Sequence, residues 1–190
     1  MLNITPKISV ELERLKGDSS LFFGLGKHVR FNKNDYIQKS GDSVKYFYYM
    51  TSGIVKCFYT HDDKEVVLRL MTGGSAVLGY SGFVTGGPST ENIQCVQPCE
   101  GLLIPIEKIE ALRANNPKMD LVLRYIAEQH YLSLERRLMM LHHKSARERY
   151  QFFCATMEEA IVNETPMHCV ASYLGVTPES FSRMKRALNN

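Results

Sequence analysis

The side chains best suited to recognition chemistry lie near the C-terminal end of the sequence. A helix beginning at Thr177-Pro178, a capping residue followed by proline, would carry acidic, basic and hydroxyl groups on its outer faces. These groups belong to Glu179, Ser180, Ser182, Arg183, Lys185 and Arg186. A carboxylate can accept from cytosine N4 and an arginine can bond guanine with two donors, so this helix fits the major groove of DNA. An ordinary helical hairpin with a solvated charged surface fits the same pattern.

Two short helices joined by a tight turn are predicted to position these groups. A second cap-and-proline pair, Thr165-Pro166, starts the first of them, which covers residues 167–174. Gly175 tolerates the positive φ that the turn requires, and Ala171 is small where the two helices cross. The predicted apolar filling consists of Val170, Leu174, Val176, Phe181 and Met184. This is the arrangement of a helix-turn-helix unit.

A long helix is predicted to precede this pair. Asn116-Pro117 marks its start, and no further Gly or Pro occurs before about Leu141. One apolar side consists of Leu123, Ile126, His130, Leu134, Leu138 and Leu141, and a neighbouring side of Met119, Val122, Tyr125 and Leu132. Such a helix can pack against its own domain and against a second copy of the chain. A long core helix in a monomer is the alternative. Ser145 and Glu148 then predict a capping box at the next helix.

The residues before 116 show the pattern of an all-β domain. Short runs of aromatic and β-branched residues are separated by turn formers at roughly 8–12-residue intervals. The predicted runs are residues 46–51, 54–60, 65–71, 76–80, 92–96 and 101–104. Eleven of the 13 glycines lie before residue 100, where tight corners need them. A leading helix is predicted around residues 9–15.

Composition places the chain among globular proteins and excludes several classes. It has 190 residues, 44% of them hydrophobic and 23% charged, with a net charge of +3. No run reaches the 18 or so apolar residues of a membrane span, and the N-terminal residues lack the apolar core of a signal peptide. Five scattered cysteines are unlike a disulfide framework and predict reduced thiols and a cytoplasmic location.

Catalytic and metal-binding chemistry has little support in the sequence. Cys95 and Cys99 are spaced as a redox pair could be, but two cysteines in a β domain are more often packing residues. His28 and His61 are too few for a cupin-like metal site. No P-loop, dinucleotide fingerprint or nucleophile elbow is present. We therefore predict no catalytic residue, metal or cofactor, and a protein that is not an enzyme. A metal-dependent enzyme built on the β domain is the third hypothesis.

The sequence resembles the CRP/FNR superfamily of bacterial transcription regulators, and most of all its compact members common in Bacteroidetes. The resemblance is carried by ASYLGVTPESFSRMKR at 171–186, PSTENIQCVQPCEGLLIP at 88–105 and YLSLERRLMMLHHKSARERY at 131–150. It implies an α+β fold in three parts: a cyclic-nucleotide-binding-type β-roll (jelly roll) sensor over 1–115, a dimerisation helix over 116–143, and a helix-turn-helix DNA-binding domain over 144–190. With 190 as the last residue, the resemblance leaves no room for a full β-hairpin wing.

The same resemblance implies roles for individual residues. Glu179 and Arg183 match the base-reading positions, and Thr177, Ser180 and Ser182 match positions of phosphate or base contacts. Several members have another DNA-contacting Arg where this chain has Pro178, so one base contact is absent. Other basic residues then matter more for affinity. Arg136, Arg137, Lys144, Arg147 and Arg149 accompany the single Glu148 over residues 136–149. They either contact phosphates or form a solvated helix surface.

Members that bind cyclic AMP carry a Glu after a Gly, and an Arg followed by Ser or Thr about ten residues later. Here Tyr80 follows Gly79, and Thr90-Glu91 occupies the Arg-Ser position. A carboxylate in place of an arginine repels a phosphate. We therefore predict that cyclic AMP is not the effector. The candidate effector pocket consists of Tyr80, Ser81, Thr90, Glu91 and Asn92. It either binds another small molecule or is filled by its own side chains.

These observations lead to one main functional hypothesis. The chain is predicted to be a homodimeric, sequence-specific transcription regulator whose β-roll responds to an unidentified effector. Its candidate partners are double-stranded DNA with a palindromic operator, a second copy of the chain, RNA polymerase and a small-molecule effector; no membrane is among them. The alternative is a ligand-sensing or scaffolding β-roll dimer that does not bind DNA.

Overall fold

The computed structural model describes residues 24–188, so the helix predicted around residues 9–15 lies outside the described residues. The strands are β1 (Lys27–Phe31), β2 (Tyr36–Gln38), β3 (Tyr46–Ser52), β4 (Ile54–His61), β5 (Lys64–Thr72), β6 (Ala76–Val77), β7 (Asn92–Cys95) and β8 (Cys99–Pro105). The helices are α1 (Tyr80–Thr85), α2 (Ile106–Asn115), α3 (Lys118–Leu141), α4 (Ala146–Thr156), α5 (Glu159–Glu164), α6 (Met167–Leu174) and α7 (Pro178–Leu188). The predicted α+β fold class is confirmed.

The strands form a roll of two four-stranded antiparallel sheets. One sheet has the order β1-β8-β3-β6 and the other β2-β7-β4-β5. The β4–β5 hairpin pairs from Ile54 opposite Thr72 to His61 opposite Lys64, and turns through Asp62 and Asp63, both with positive φ. Such φ values are those of the tight turn whose twist matches the twist of two antiparallel strands. The core between the sheets contains Tyr48, Met50, Val55, Ile93 and Cys99.

One predicted strand run needs correction, and two strands and two helices of this half were not predicted. Of the predicted run 76–80, only Ala76–Val77 is a strand, and Tyr80 begins α1. The strand ends because Gly79 packs against Ser89, where a Cβ would lie 2.6 Å from the Ser89 hydroxyl oxygen. The missed elements are β1, β2, α1 and α2. β1, β2 and α1 have six residues or fewer, so little periodicity distinguishes them from loops.

The helix predicted from Asn116-Pro117 is α3, whose 24 residues span about 36 Å. The side chain of Asn116 accepts from the Lys118 N–H at 3.1 Å and so satisfies one of the free donors at the helix start. The face against the roll buries Met119, Val122, Tyr125, Ile126 and His130. The sequence pattern had placed Leu134 and Leu138 on the same side as Ile126 and His130, but both leucines are exposed.

The C-terminal helices share one core with the β4–β5 hairpin. Phe153, Ala171, Leu174 and Phe181 are buried in this cluster beside Val67 of β5. Ser145 and Glu148 form the predicted capping box at the start of α4.

The start of α6 differs from its prediction. The buried Thr165 hydroxyl, expected as a cap, has no hydrogen-bond partner among the described residues. The Pro166 carbonyl accepts from Cys169 and Val170 instead. The extended backbone at Pro166 directs that carbonyl, rather than the Thr165 hydroxyl, at the first turn.

No helix among residues 24–188 is both long and apolar enough to cross a membrane.

Candidate nucleic-acid interface and effector pocket

The turn between α6 and α7 has the geometry that the sequence predicted. Gly175 adopts a φ of +68°, and its N–H donates to the Ser172 carbonyl at 3.0 Å. The Val176 N–H donates to the Ala171 carbonyl, also at 3.0 Å. These bonds close the end of α6 with a left-handed residue, which glycine adopts without a steric penalty. The crossing of the two helices is therefore fixed by a few local contacts.

Helix α7 is anchored by one face and free on the other. The Thr177 hydroxyl accepts from the Ser180 N–H at 3.2 Å and caps the helix, as predicted. Phe181 is 1% exposed and fixes the buried side, whereas Glu179 and Arg183 are exposed. Backbone hydrogen bonding at the helix start, then the Thr177 hydroxyl and the Arg183 charge, lower the pKa of Glu179. Glu179 is therefore an ionised acceptor at neutral pH.

The remaining residues predicted on α7 differ in exposure and in the contacts that hold their side chains. Arg186 is exposed and donates to the Ser182 hydroxyl at 3.3 Å. The Lys185 ammonium lies 5.2 Å from the centre of the Tyr150 ring, in cation–π geometry. Lys185 is thus held against α4, and the outer surface of α7 consists mainly of Glu179, Arg183 and Arg186.

The basic residues over 136–149 separate into internal and exposed groups. Arg149 donates to the His143 carbonyl at 3.0 Å and to the Leu174 carbonyl at 3.1 Å, so it ties α4 to the end of α6. Arg136 and Arg137 each have a buried Nε without a hydrogen-bond partner. Lys144 and Arg147 are exposed. Three of the five side chains therefore have positions inside the fold, and two remain for an external contact.

Ser172 joins the β-roll to the helical domain, a role that the sequence analysis missed. Its hydroxyl donates to the Glu65 carbonyl at 2.7 Å and accepts from the Val67 N–H at 3.0 Å. Glu65 also forms an ion pair with Lys56. A serine in a helix gives no sequence signal for a contact with a strand more than 100 residues away in the chain.

The candidate effector pocket contains a buried charge cluster. The Glu91 carboxylate accepts from the Arg69 guanidinium, and both side chains are buried. Arg69 also donates to Nδ1 of His130 on α3, and the Tyr80 ring lies 4.6 Å from the His130 ring, centre to centre. Burial, and then the Arg69 charge, lower the pKa of His130 well below 6.5. The imidazole is therefore neutral in the folded protein.

The other predicted pocket residues bond within the chain. The Ser81 and Thr90 hydroxyls are 2.8 Å apart, and the side-chain amide oxygen of Asn92 accepts from the Ser40 main-chain N–H at 3.0 Å. All five predicted residues lie in one region, but none of the polar side chains of Thr90, Glu91 and Asn92 is without a partner. Sequence reasoning had not connected Arg69 or His130 to this pocket. A lone arginine in the apolar run of β5 was the available signal for the first.

An exposed apolar stripe runs along α3. It consists of Tyr131, Leu134 and Leu138, which are 65%, 48% and 59% exposed. Their spacing of three and four residues places them on one side of the helix, away from the roll. Exposed apolar side chains grouped in this way are typical of interaction surfaces.

The described residues contain no group of three or more His, Cys, Asp or Glu side chains placed to hold a metal ion. Cys95 and Cys99 are buried free thiols.

Comparisons with known proteins agree with this geometry. Residues 28–116 match the family model of the cyclic nucleotide-binding domain. No curated protein matches the sequence.

Several solved structures have the same fold. FixK2 from Bradyrhizobium japonicum superposes with a TM-score of 0.76 at 17% identity, covering 86% of this chain and 84% of that one. The c-di-GMP responsive global regulator CLP from Xanthomonas campestris gives 0.72 at 21% identity, covering 90% of each chain. A protein from Eubacterium rectale assigned to the crp/fnr family of transcriptional regulators gives 0.72 at 14% identity, covering 94% and 86%. At these identities the similarity establishes the fold.

Proposed function

We propose that the chain is a homodimeric, sequence-specific DNA-binding transcription regulator. Residues 28–116 match the family model of the cyclic nucleotide-binding domain, and solved structures with the same fold include a regulator assigned to the crp/fnr family. Such a protein acts in the cytoplasm, on a palindromic operator and together with RNA polymerase.

The observation that carries DNA binding is the exposed surface of α7. Glu179, Arg183 and Arg186 project from a helix whose opposite side is fixed by Phe181 and whose entry angle is fixed by the Gly175 turn. An α-helix fits the major groove, and its first turns are the part that reaches base edges in helix-turn-helix proteins. Glu179 and Arg183 occupy these turns.

Contacts with the DNA backbone support the same proposal. Lys144 and Arg147 are exposed at the start of α4, near the end of the long helix. Their charges are available to phosphates because neither side chain forms an ion pair among the described residues. Arg136, Arg137 and Arg149 are half-buried and are therefore less available for this role than Lys144 and Arg147.

The exposed apolar stripe on α3 supports dimerisation. A second copy brought together along Tyr131, Leu134 and Leu138 would bury these side chains and place two α7 helices on one side of the dimer. Burial of apolar side chains contributes about 25 cal/mol for each Å² removed from water.

The charge cluster around Glu91 supports a roll that does not bind cyclic AMP. Arg69 forms an ion pair with the Glu91 carboxylate. The His130 and Tyr80 rings stack beside this pair, so side chains of the chain itself take up this part of the pocket. A cyclic phosphate would have to displace a buried ion pair and would meet a carboxylate. Calorimetric titration with cyclic AMP or cyclic GMP should give no saturable heat. Micromolar binding of either would contradict this part of the proposal.

The decisive experiment is selection of genomic DNA fragments by the purified protein at moderate salt, followed by sequencing. We expect enrichment of one palindromic motif whose half-sites lie about one helical turn apart. A variant with Glu179→Ala and Arg183→Ala should lose the motif, whereas Arg30→Ala, an exposed arginine on β1, serves as the matched control. If the unaltered protein enriches no motif, the protein is the ligand-sensing or scaffolding dimer instead.

A further inference from the structure

A cavity of about 80 Å³ lies where the roll, α3 and the C-terminal helices meet. Its wall includes Arg69 and Ala76 of the roll, Ser133 and Arg136 of α3, and Met157 and Ile161 on either side of the α4–α5 connection. None of the five residues of the candidate effector pocket lines it. Arg69 and His130 of the charge cluster do line it, so the cavity adjoins that pocket and touches all three parts of the molecule.

Arg136 gives this cavity its chemistry. Its Nε is buried and has no hydrogen-bond partner, and its Nη1 donates only to the thioether sulfur of Met157, at 3.7 Å. A thioether is a weak acceptor, and a buried cationic donor without an acceptor is unfavourable. Arg69, the other arginine of the wall, already donates to Glu91 and His130. Arg136 is thus the lining cation that has no ion-pair partner among the described residues, and its guanidinium suits a carboxylate.

The rest of the wall limits the size and charge of the ligand. Leu70, Ile126, Met157 and Ile161 offer apolar surface to a short hydrocarbon chain. The volume is several times the roughly 10–15 Å³ needed to hold one water molecule, so it suits a molecule of a few heavy atoms. Glu158 also lines the cavity, so a ligand there meets a carboxylate as well as Arg136.

We propose that this cavity binds a short-chain monocarboxylate, with the carboxylate on Arg136 and the hydrocarbon chain against Met157 and Ile161. The claim that this ligand is the effector of the regulator rests on the proposed function. The claim that the cavity binds the ligand does not.

The position of the cavity explains how its ligand would act on the regulator. Residues 125, 129, 133 and 136 of α3 line it, and Leu138 of the exposed stripe lies two residues beyond Arg136. Successive residues of an α-helix are about 100° apart around its axis, so Arg136 and Leu138 lie on sides of α3 that differ by about 200°. The ligand therefore contacts α3 opposite the proposed dimer surface, and it contacts the α4–α5 connection of the helical domain at the same time. A ligand that fits one setting of these elements better than another shifts the balance between them.

The test is calorimetric titration of the whole protein with propionate, in the absence of DNA. We expect saturable binding of one propionate per chain and none of propionamide, which has the same shape without the charge. Arg136→Gln should weaken propionate binding about tenfold or more, because a hydrogen bond to a charged group is lost. Arg124→Gln is the matched control, since Arg124 is an exposed arginine of the same helix that pairs with Glu128. Absence of saturable propionate heat, or equal affinity in Arg136→Gln, would overturn the proposal.

A second variant decides the matter if Arg136→Gln does not fold. Ser133→Leu keeps the charge and fills the cavity, so it should abolish propionate binding while circular dichroism and cooperative unfolding stay unchanged. Retained binding in a folded Ser133→Leu protein overturns the site, as does tighter binding of inorganic phosphate than of propionate. A protein that binds propionate but no DNA keeps this site and loses the proposed function. A protein that binds DNA but no propionate keeps the proposed function and loses this site.

Discussion

The hydroxyl of Ser172 donates to the main-chain carbonyl of Glu65 at 2.7 Å, and this bond connects α6 to the β4–β5 hairpin. The same oxygen accepts from the Val67 N–H at 3.0 Å. One side chain thus satisfies two main-chain groups of the roll from within the helix-turn-helix unit. The setting of α6 on the roll depends on both bonds.

Replacement of Ser172 by alanine should lower the free energy of unfolding by about 1–3 kcal/mol, because two hydrogen bonds are lost. Urea denaturation followed by circular dichroism measures this change. Ser182→Ala, on the outer side of α7, is the control and should change the free energy of unfolding by less than about 0.5 kcal/mol. Equal effects of the two substitutions would show that Ser172 does not stabilise the junction.

Glu91→Gln should destabilise the protein by about 3–5 kcal/mol, because it leaves the buried Arg69 charge without its partner. Replacing both residues, as Arg69→Met with Glu91→Leu, should recover most of the loss, since no charge then remains buried. The exposed Arg113–Asp120 pair provides the control, and Arg113→Gln should destabilise the protein far less, because solvent screens an exposed ion pair. Guanidinium denaturation of the four proteins distinguishes these cases. A Glu91→Gln protein as stable as the parent would contradict the assigned pair.

The stability of the protein should fall as the pH falls below about 6.5, because of His130. The unfolded chain protonates this imidazole near pH 6.5, whereas the folded protein, whose His130 pKa is lowered by burial and by Arg69, does not. The unfolded state therefore binds more protons in this range, and the free energy of unfolding decreases with falling pH. The expected slope approaches 1.4 kcal/mol for each pH unit.

Denaturant unfolding at pH values between 5 and 8 measures this dependence. His130→Gln keeps an acceptor for Arg69 but does not titrate, so its profile should be flatter over the same range. His61→Gln, which alters an exposed histidine of β4, is the control and should keep the slope of the parent. Identical profiles for the parent and His130→Gln would rule out His130 as the cause.

Leu138→Glu should convert the proposed dimer to a monomer, because it places a charge in the middle of the exposed apolar stripe. Sedimentation or light scattering measures the mass in solution. Val84→Glu is the matched control, since Val84 is 63% exposed on α1, outside the stripe. A monomeric parent protein, or a dimeric Leu138→Glu variant, would show that the stripe is not the dimer surface.

Arg183→Ala should weaken binding to the selected operator by about 1–3 kcal/mol and relax specificity at one base pair. Competition binding with operators altered at single positions provides the measurement. Arg147→Ala should weaken binding to all sequences alike, as the loss of a phosphate contact does. If Arg183→Ala also weakens all sequences alike, Arg183 contacts phosphate rather than a base.

The helical half of the molecule was predicted more completely than the roll. The Asn116-Pro117 start, the Ser145–Glu148 capping box and the Gly175 turn are local signals, and each lies where the sequence placed it. Strands β1 and β2 were missed because pairing with distant strands, rather than their own residues, holds them in place.

The candidate sites were predictable only in part, for a similar reason. The exposed charges of α7 follow from a helical spacing over ten residues. The partners of Glu91 come from β5 and from α3, on either side of it in the chain, and no local pattern relates Arg69 to His130. At Thr165 a strong local signal gave a wrong prediction. The residue was expected to cap α6, but its hydroxyl is buried and has no hydrogen-bond partner among the described residues.

Arg149 has a consequence for the operator of a DNA-binding dimer. Its guanidinium donates to the last carbonyl of α6 and to the carbonyl of His143 just beyond α3, so the setting of α7 is coupled to that of the long helix. Each base pair added between two half-sites rotates one of them about 34° around the duplex and moves it about 3.4 Å along the axis. Two helices that are each held to their long helix cannot easily follow such a displacement. We therefore expect a DNA-binding dimer of this chain to prefer one spacer length between half-sites.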